Sequence, residues 1–304
     1  MYDIIVVGAG AAGLTAALYA LRAGKSVLVI EKNSFGGQIA YSPKVENWPG
    51  TVEMSGLEFA DAITGQAIAH GAELEMDKVV RIEQGGGSFR VFTEDGALYE
   101  SRAVIVAAGV RHRTLGIEGE NELIGNGISF CAVCDGAFFA GRDVVVVGGG
   151  NTALQEAMLL AETSRTVTIV QNLPYLTGEK KLADKLTALP NVRVILGVTV
   201  EGYTSENGSL TGVKICTASG EAMTVACDGA FLAVGLIPEN DAFASLLRLD
   251  AQGYIVADET CETAVPGLFT AGDCRTKRIR QLTTASGDGA VAALAAVRYI
   301  DDIK

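Results

Sequence analysis

Gly8-Ala9-Gly10-Ala11-Ala12-Gly13 decides the reading of this chain. Ahead of it, Asp3 to Val7 is the short apolar run that a buried parallel strand requires, and behind it an alanine-rich helix is expected to end near Gly24. Ser26 to Ile30 supplies a second strand, closed by Glu31. Strand, G-x-G-x-x-G, helix, strand and acid together make the complete dinucleotide-binding pattern. Gly8 makes the tight turn, Gly10 lets backbone approach a pyrophosphate, Gly13 lets helix and strand pack closely, and Glu31 can accept from ribose hydroxyls.

The pattern occurs a second time. Asp143 to Val147 is the strand, Gly148-Gly149-Gly150-Asn151-Thr152-Ala153 the turn in its G-x-G-x-x-A form, Leu154 to Glu162 the helix and Thr166 to Val170 the next strand. Gly148, Gly150, Asn151, Thr152 and Ala153 are its candidate nucleotide contacts. Two units imply two dinucleotides, or one dinucleotide and a vestigial site. Gln171 stands in the second unit where Glu31 stands in the first, and Asn172 to Thr177 carries no cation. It is neither the acid that selects NAD nor the arginine that holds a 2′-phosphate. The nearest following cations, Lys180 and Lys181, lie beyond a Pro- and Gly-containing loop. Weak or absent coupling to NADPH and no strong coupling to NADH are expected.

Just ahead of the second unit lies Cys131-Ala132-Val133-Cys134-Asp135-Gly136. Two thiols two residues apart can cycle between dithiol and disulfide without moving the rest of a fold, and Asp135 could exchange a proton with a departing thiolate. A lone C-x-x-C can also be half of a zinc site or a structural bridge. The zinc reading needs a second pair, and Cys216, Cys227, Cys261 and Cys274 provide none, so no metal is expected.

The rest of the chain is read by pattern. Phe35 to Gln38 and Val45 to Gly50 are loops, and Gly56 to His70 is a helix with Leu57, Ala60, Ile63 and Ala67 on its apolar face. Lys78 to Arg102 is a β-meander inserted as a flap and broken by Gly85-Gly86-Gly87, followed by a separate buried strand, Ala103 to Ala107. Leu115 to Gly119 and Gly235 to Pro238 are hinges. Val192 to Leu196, Leu210 to Thr217 and Gly229 to Ala233 are strands. Gly267 to Thr270 is a strand leading to Gly272-Asp273, and Gln281 to Tyr299 is a closing helix.

A length of 304 residues suits about two domains, and the composition is that of an α/β protein. A formal net charge of −12 argues against nucleic acid and anionic membrane as partners of the whole molecule. The residues before the first strand lack a basic signal-peptide region, and no uncharged apolar run approaches a membrane span. The reading is a cytoplasmic protein whose four unclustered cysteines stay reduced.

Taken together, these motifs resemble the small bacterial flavoprotein thioredoxin reductases over essentially the whole chain. The resemblance is carried by Gly8 to Gly13, Gly36-Gly37-Gln38, Glu46-Asn47-Trp48-Pro49-Gly50, Cys131 to Asp135, Gly148 to Ala153, Gly272-Asp273 and Arg280-Gln281. It implies an α/β fold of two Rossmann-like domains. The first, residues 1–114 and 239–304, would be discontinuous and bind FAD through Gly8, Gly10, Gly13, Glu31, Gly37, Gln38, Asn47, Asp273, Gln281 and Leu282. The inserted second domain, residues 115–238, would carry the redox disulfide and, in most members, NADPH. By the same similarity the protein looks like a homodimer whose middle domain rotates, with Cys134 as the sulfur nearer the flavin and thioredoxin as the substrate. The family's His-Arg-Arg element is what Gln171 to Thr177 replaces, which brings in ferredoxin as an alternative donor. It would dock on cations such as Arg111, Arg113, Arg275, Lys277, Arg278 and Arg280. A third reading is a flavin-bearing redox sensor, which would need neither Asp135 nor hinges.

Overall fold

The computed structural model describes residues 1–42 and 45–303. The chain forms two compact units, one of Met1–Arg111 with Ile237–Lys304 and one of His112–Leu236. The sequence reading places these limits at 114/115 and 238/239. Leu115 to Gly119 thus lies inside the second unit. There the Leu115 N–H donates to both carboxylate oxygens of Glu120 (2.9 and 3.2 Å), and the Tyr203 hydroxyl donates to the same group at 2.9 Å.

In chain order the first unit opens with β1 (Tyr2–Val7), α1 (Ala11–Arg22), β2 (Val27–Glu31), α2 (Gly56–Ala69), β3 (Glu73–Met76), β4 (Val79–Gly85), β5 (Ser88–Thr93) and β6 (Leu98–Val106). After β7 (Val110–His112) come α3 (Glu120–Leu123), β8 (Ile128–Ser129), α4 (Ala132–Asp135), β9 (Asp143–Val147), α5 (Asn151–Ala161) and β10 (Thr166–Gln171). They are followed by α6 (Lys180–Thr187), β11 (Val192–Leu196), β12 (Val198–Glu206), β13 (Ser209–Thr217), β14 (Ala222–Ala226) and β15 (Gly229–Leu232). The chain then returns through β16 (Leu236–Pro238) to β17 (Leu268–Thr270) and α7 (Leu282–Asp302).

The first unit is built on a seven-stranded sheet in the order β3-β2-β1-β6-β5-β4, with β17 paired to the far end of β6. Both faces are covered, which is why β1 reads as a continuous apolar run. Ile4 and Val6 point to a cluster with Leu14 and Ala16 of α1 and Ala292, Ala293 and Ala296 of α7. Ile5 and Val7 point the other way, toward Phe243, Leu247 and Ile255. The expected meander exists, but it is no flap. β6 is one strand whose first half pairs with β5 (Phe89 opposite Ser101) and whose second half pairs with β1 and β17, so Ala103 to Ala107 is its continuation. α2 starts at a capping box: Ser55 Oγ accepts from the Glu58 N–H at 3.1 Å and Glu58 accepts from the Ser55 N–H at 2.7 Å. Its buried face carries Phe59, Ala60 and Ala67, whereas Leu57 is 58% exposed, so the apolar stripe lies to one side of the expected one.

The second unit has a parallel sheet, β11-β10-β9-β15-β8, and a separate antiparallel one, β12-β13-β14. Val144 and Val146 of β9 pack against Leu154, Ala157 and Leu160 of α5. Val145 and Val147 pack on the opposite side against Val213 and Ile215 of β13.

Candidate active site and cofactor cradle

The first glycine turn is held by contacts that side chains would prevent. Gly8 has φ +103°, a conformation L-residues avoid, and a Cβ there would lie 2.3 Å from the Ala107 carbonyl oxygen. A Cβ on Gly13 would lie 1.8 Å from the Gly8 oxygen, whereas one on Gly10 would meet nothing within 4 Å. Gly10 therefore borders open space, as backbone that must let a phosphate approach should. Glu31 ends β2 with Oε2 accepting from the Ala9 N–H (2.7 Å) and Oε1 from the Asn33 N–H (2.9 Å). Each oxygen keeps a lone pair for a hydroxyl donor. Glu31, Gly8, Val79 and Phe243 line a cavity of about 440 Å³.

Distant residues of the expected cofactor set are brought together, some of them at this turn. The Gly36 N–H donates to the Ala9 oxygen at 2.8 Å, and Gly37 packs so tightly on Gly10 that its Cβ would sit 2.9 Å from the Gly10 Cα. Residues 37–41 form a 3₁₀ helix rather than a plain loop, leaving Gln38 exposed. Asn47 Nδ2 donates to Gln281 Oε1 at 3.2 Å, joining positions 234 residues apart. Gln281 caps α7, whose first residue is Leu282. A Cβ on Gly272 would lie 2.8 Å from the Ala12 Cβ, which places the Gly272-Asp273 turn against the start of α1. Asp273 Oδ1 is buried with no hydrogen-bond partner, and burial pushes its carboxyl up to about 6 against the pull of Lys277 and Arg280. An orphaned acceptor on a turn packed against the start of α1 is what a bound polyol chain would satisfy, so these residues fit a flavin dinucleotide.

In the second unit Cys131 and Cys134 form a disulfide with Cα atoms 5.3 Å apart, across the first turn of α4. Both are part-exposed, and Val133 between them is 60% exposed. Cys131 Sγ accepts from the Cys134 N–H at 3.2 Å. Asp135 Oδ2 accepts from Ser129 Oγ at 2.6 Å, and Ser129 Oγ accepts from the Cys131 N–H at 3.1 Å. Asp135 Oδ1 is buried and unpartnered, and burial raises its carboxyl above the usual range while the Ser129 bond lowers it. A carboxyl shifted upward by burial beside the disulfide is placed to exchange a proton with a leaving thiolate. The sequence reading missed Ser129. Its signal was slight, one serine two residues before a cysteine, and its role comes from a turn that brings Asp135 back over it. Cys216, Cys227, Cys261 and Cys274 are free thiols. Among the described residues no group of His, Cys, Asp or Glu is placed to hold a metal ion.

The second glycine turn repeats the first, with a Cβ on Gly148 only 2.6 Å from the Ala233 oxygen. Thr152 is exposed, and Ala153 is buried against β9 and β10. Gln171 is 7% exposed; its amide lies across Gly149, where a Cβ would meet Nε2 at 2.5 Å, and its Oε1 accepts from the Asn172 N–H. The following loop does fold back. The Thr177 and Gly178 N–H groups donate to the Gly149 oxygen (2.8 and 2.9 Å) and the Glu179 N–H to Asn151 Oδ1 (2.7 Å), so Lys180 and Lys181 start α6 beside the turn. Lys180 pairs with Asp184.

Not all of the six cations expected in the basic patch are free at a surface. Arg275 is 1% exposed and bonded to Asp288 through Nε and a terminal nitrogen, both at 2.8 Å, and Lys277 joins the same carboxylate at 2.9 Å. Arg111 faces Glu239, Arg280 lies over the Tyr254 ring, and Arg113 belongs to the other unit. Of the six, Arg275 and Lys277 are spent on neutralising a buried aspartate.

A glycine-turn unit fitted to a flavin dinucleotide, with a second such unit carrying a closed C-x-x-C, defines a flavoprotein disulfide oxidoreductase. The family model for pyridine nucleotide-disulphide oxidoreductases matches residues 2–289. A thioredoxin reductase of Listeria monocytogenes is 41% identical over 305 residues, covering 100% of this chain and 95% of its own length. The crystal structure of thioredoxin reductase from Streptococcus pyogenes MGAS5005 superposes with a TM-score of 0.95 at 38% identity over 99% of both chains. A bifunctional thioredoxin reductase/thioredoxin of Mycobacterium leprae is 39% identical over 99% of this chain and 66% of its own length. The chain belongs to the thioredoxin reductase family of the pyridine nucleotide-disulphide oxidoreductases. Among the described residues no helix is long and apolar enough to cross a membrane.

Proposed function

We propose that this enzyme is an FAD-dependent thioredoxin-disulfide reductase, passing two electrons from a donor through the flavin and the Cys131/Cys134 pair to thioredoxin. The observation that carries the reading is the part-exposed disulfide beside the half-buried Asp135, whose Oδ1 has no partner. The full-length relatives named for this activity, one of them with thioredoxin in the same chain, support thioredoxin as the substrate. Bound FAD supplies two-electron transfer between a donor and a disulfide. Gly10 would leave room for its pyrophosphate on a turn that Gly8 and Gly13 allow to pack closely, Glu31 would accept from ribose, and Asp273 would accept from a hydroxyl it otherwise lacks. Gly37, Gln38, Asn47, Gln281 and Leu282 complete the cradle. Cys134 would be the sulfur that takes electrons from bound flavin, and Asp135 would give a proton to the departing thiolate and take it back as the disulfide re-forms. The protein acts as a cytoplasmic homodimer.

The donor has two readings. A pyridine nucleotide is the family's donor, and Lys181 beside the second turn is the cation nearest to that role. Reduced ferredoxin is favoured by Gln171, whose neutral amide covers Gly149 where a selective acid or arginine would stand. One anaerobic experiment separates them: follow flavin bleaching with NADPH, NADH and reduced ferredoxin in parallel, then add oxidised thioredoxin. Rapid bleaching by micromolar NADPH would end the ferredoxin reading. Bleaching with no thiol formation on thioredoxin would end the reductase reading in favour of a redox sensor.

A further inference from the structure

Helix α5, which opens at the second glycine turn, also packs against α4. Ala132, between Cys131 and Val133, is 3% exposed and sits in one apolar cluster with Leu154, Ala157 and Leu160 of α5. From the same stretch of α5, Glu156 places its carboxyl against that turn. The Ala132 N–H faces the carboxyl and favours its charged form, while Oε2 is shut off from solvent with no hydrogen-bond partner. Two carboxyls with an orphaned buried oxygen therefore adjoin the disulfide turn, Asp135 from α4 and Glu156 from α5.

We infer that Glu156 is a positioning residue for the disulfide turn: its charge state sets how much of the reduced Cys131 is present as thiolate. The inference deepens the proposed function and rests on the disulfide cycling described there. Opening the disulfide breaks the S–S bond and takes up two electrons, from reduced flavin in turnover. Two protons are taken up if both sulfurs end as thiols, and one if Cys131 remains a thiolate. An ionised Glu156 opposes negative charge on that sulfur and keeps its proton there. A protonated Glu156 lets the thiolate form, held by the Cys134 N–H that already donates to Cys131 Sγ. Burial pushes the Glu156 carboxyl up to about 7, so both states are populated near neutrality. The other charged groups on elements packed against α5 are Asp135 of α4, Asp143 of β9, and Lys180, Lys181, Asp184 and Lys185 of α6. None of them contributes to that shift, and Asp143 is held down at about 2, chiefly by its hydrogen bond from Arg165.

The test uses the full-length flavoprotein reduced with dithiothreitol, which is oxidised to its cyclic disulfide, and then desalted. Iodoacetamide labelling at Cys131 and Cys134 is followed by mass spectrometry from pH 5 to 9. The wild-type Cys131 profile should show two ionisations, one near pH 7. In Glu156→Gln, which keeps the size and an oxygen for the Ala132 N–H, the step near pH 7 should vanish and labelling at pH 7 should rise roughly threefold or more. Superimposable profiles, or a uniform change at every pH, would overturn the role. Should Glu156→Gln not fold, Asp135→Asn decides: persistence of the step near pH 7 supports Glu156, and its loss assigns that step to Asp135. If dithiothreitol frees no thiols at these positions, the reductase reading fails; thiols with a single ionisation sink only this inference.

Discussion

Asp273 shows how a buried carboxyl can be costly when one of its oxygens has no partner. Its carboxyl is raised to about 6 in the folded chain, against roughly 3.9 in an unfolded one. The native state thus binds the proton more tightly, so stability is fullest below pH ~4, falls as pH rises to about 6 and stays low above. About two units correspond to up to ~3 kcal/mol lost at pH 8. Asp273→Asn should therefore stabilise the flavin-free protein at pH 8 by more than it does at pH 5, the difference exceeding about 1 kcal/mol, while weakening flavin retention. Urea titrations of the two apoproteins at both pH values measure the first effect and dialysis of the holoproteins the second. Equal effects at both pH values would mean that the carboxylate ionises without penalty in the fold.

At the scale of elements, α1 and α7 meet through small residues. A Cβ on Gly289 would lie 2.2 Å from the Ala12 carbonyl oxygen, and backbone at the mouth of the cofactor turn has little freedom to retreat. Gly289→Ala should cost about 1–3 kcal/mol, read as a lower urea midpoint with unchanged slope. The elements legible in the sequence were those with a strong period or a steric signature: β1, α1, β9, α5 and both glycine turns, each a buried run or a forced close approach. Less legible were α6, with Leu182 and Leu186 among charged residues, and β12 and β14, whose half-exposed faces carry weak alternation. In α2 the periodicity marked Leu57 although Phe59 is the buried residue, because packing against a neighbouring segment, here Trp48, chose the face. The close-packed glycine turns and the C-x-x-C pair were legible as motifs. Ser129 and Glu156 were not, since each acquires its role only when another segment is laid against it.

For the whole molecule, the two units differ in how the chain supplies them. Residues 112–236 are contiguous and hold two apolar clusters of their own. An excised fragment 112–236 should therefore be soluble, unfold cooperatively in urea and retain a dithiothreitol-reducible disulfide. Fragment 1–111 lacks β17 and α7, which pair with β6 and cover α1, and should show no cooperative transition. A cooperative melt of that fragment would show that β17 and α7 are dispensable trim.

The late return of β17 to β6 also bears on how the chain is made. Residues up to β6 leave the ribosome long before β17 exists, and the whole of 112–236 is synthesised in between. At elongation rates of roughly 5–20 residues per second, the wait is on the order of ten seconds. For that time Val104 to Val106 present an unpaired strand edge and the α1 face of Ile4 and Val6 lacks its second helix, surfaces that invite wrong partners. The middle of the chain can fold first, and the N-terminal half must be kept from aggregating until the tail arrives.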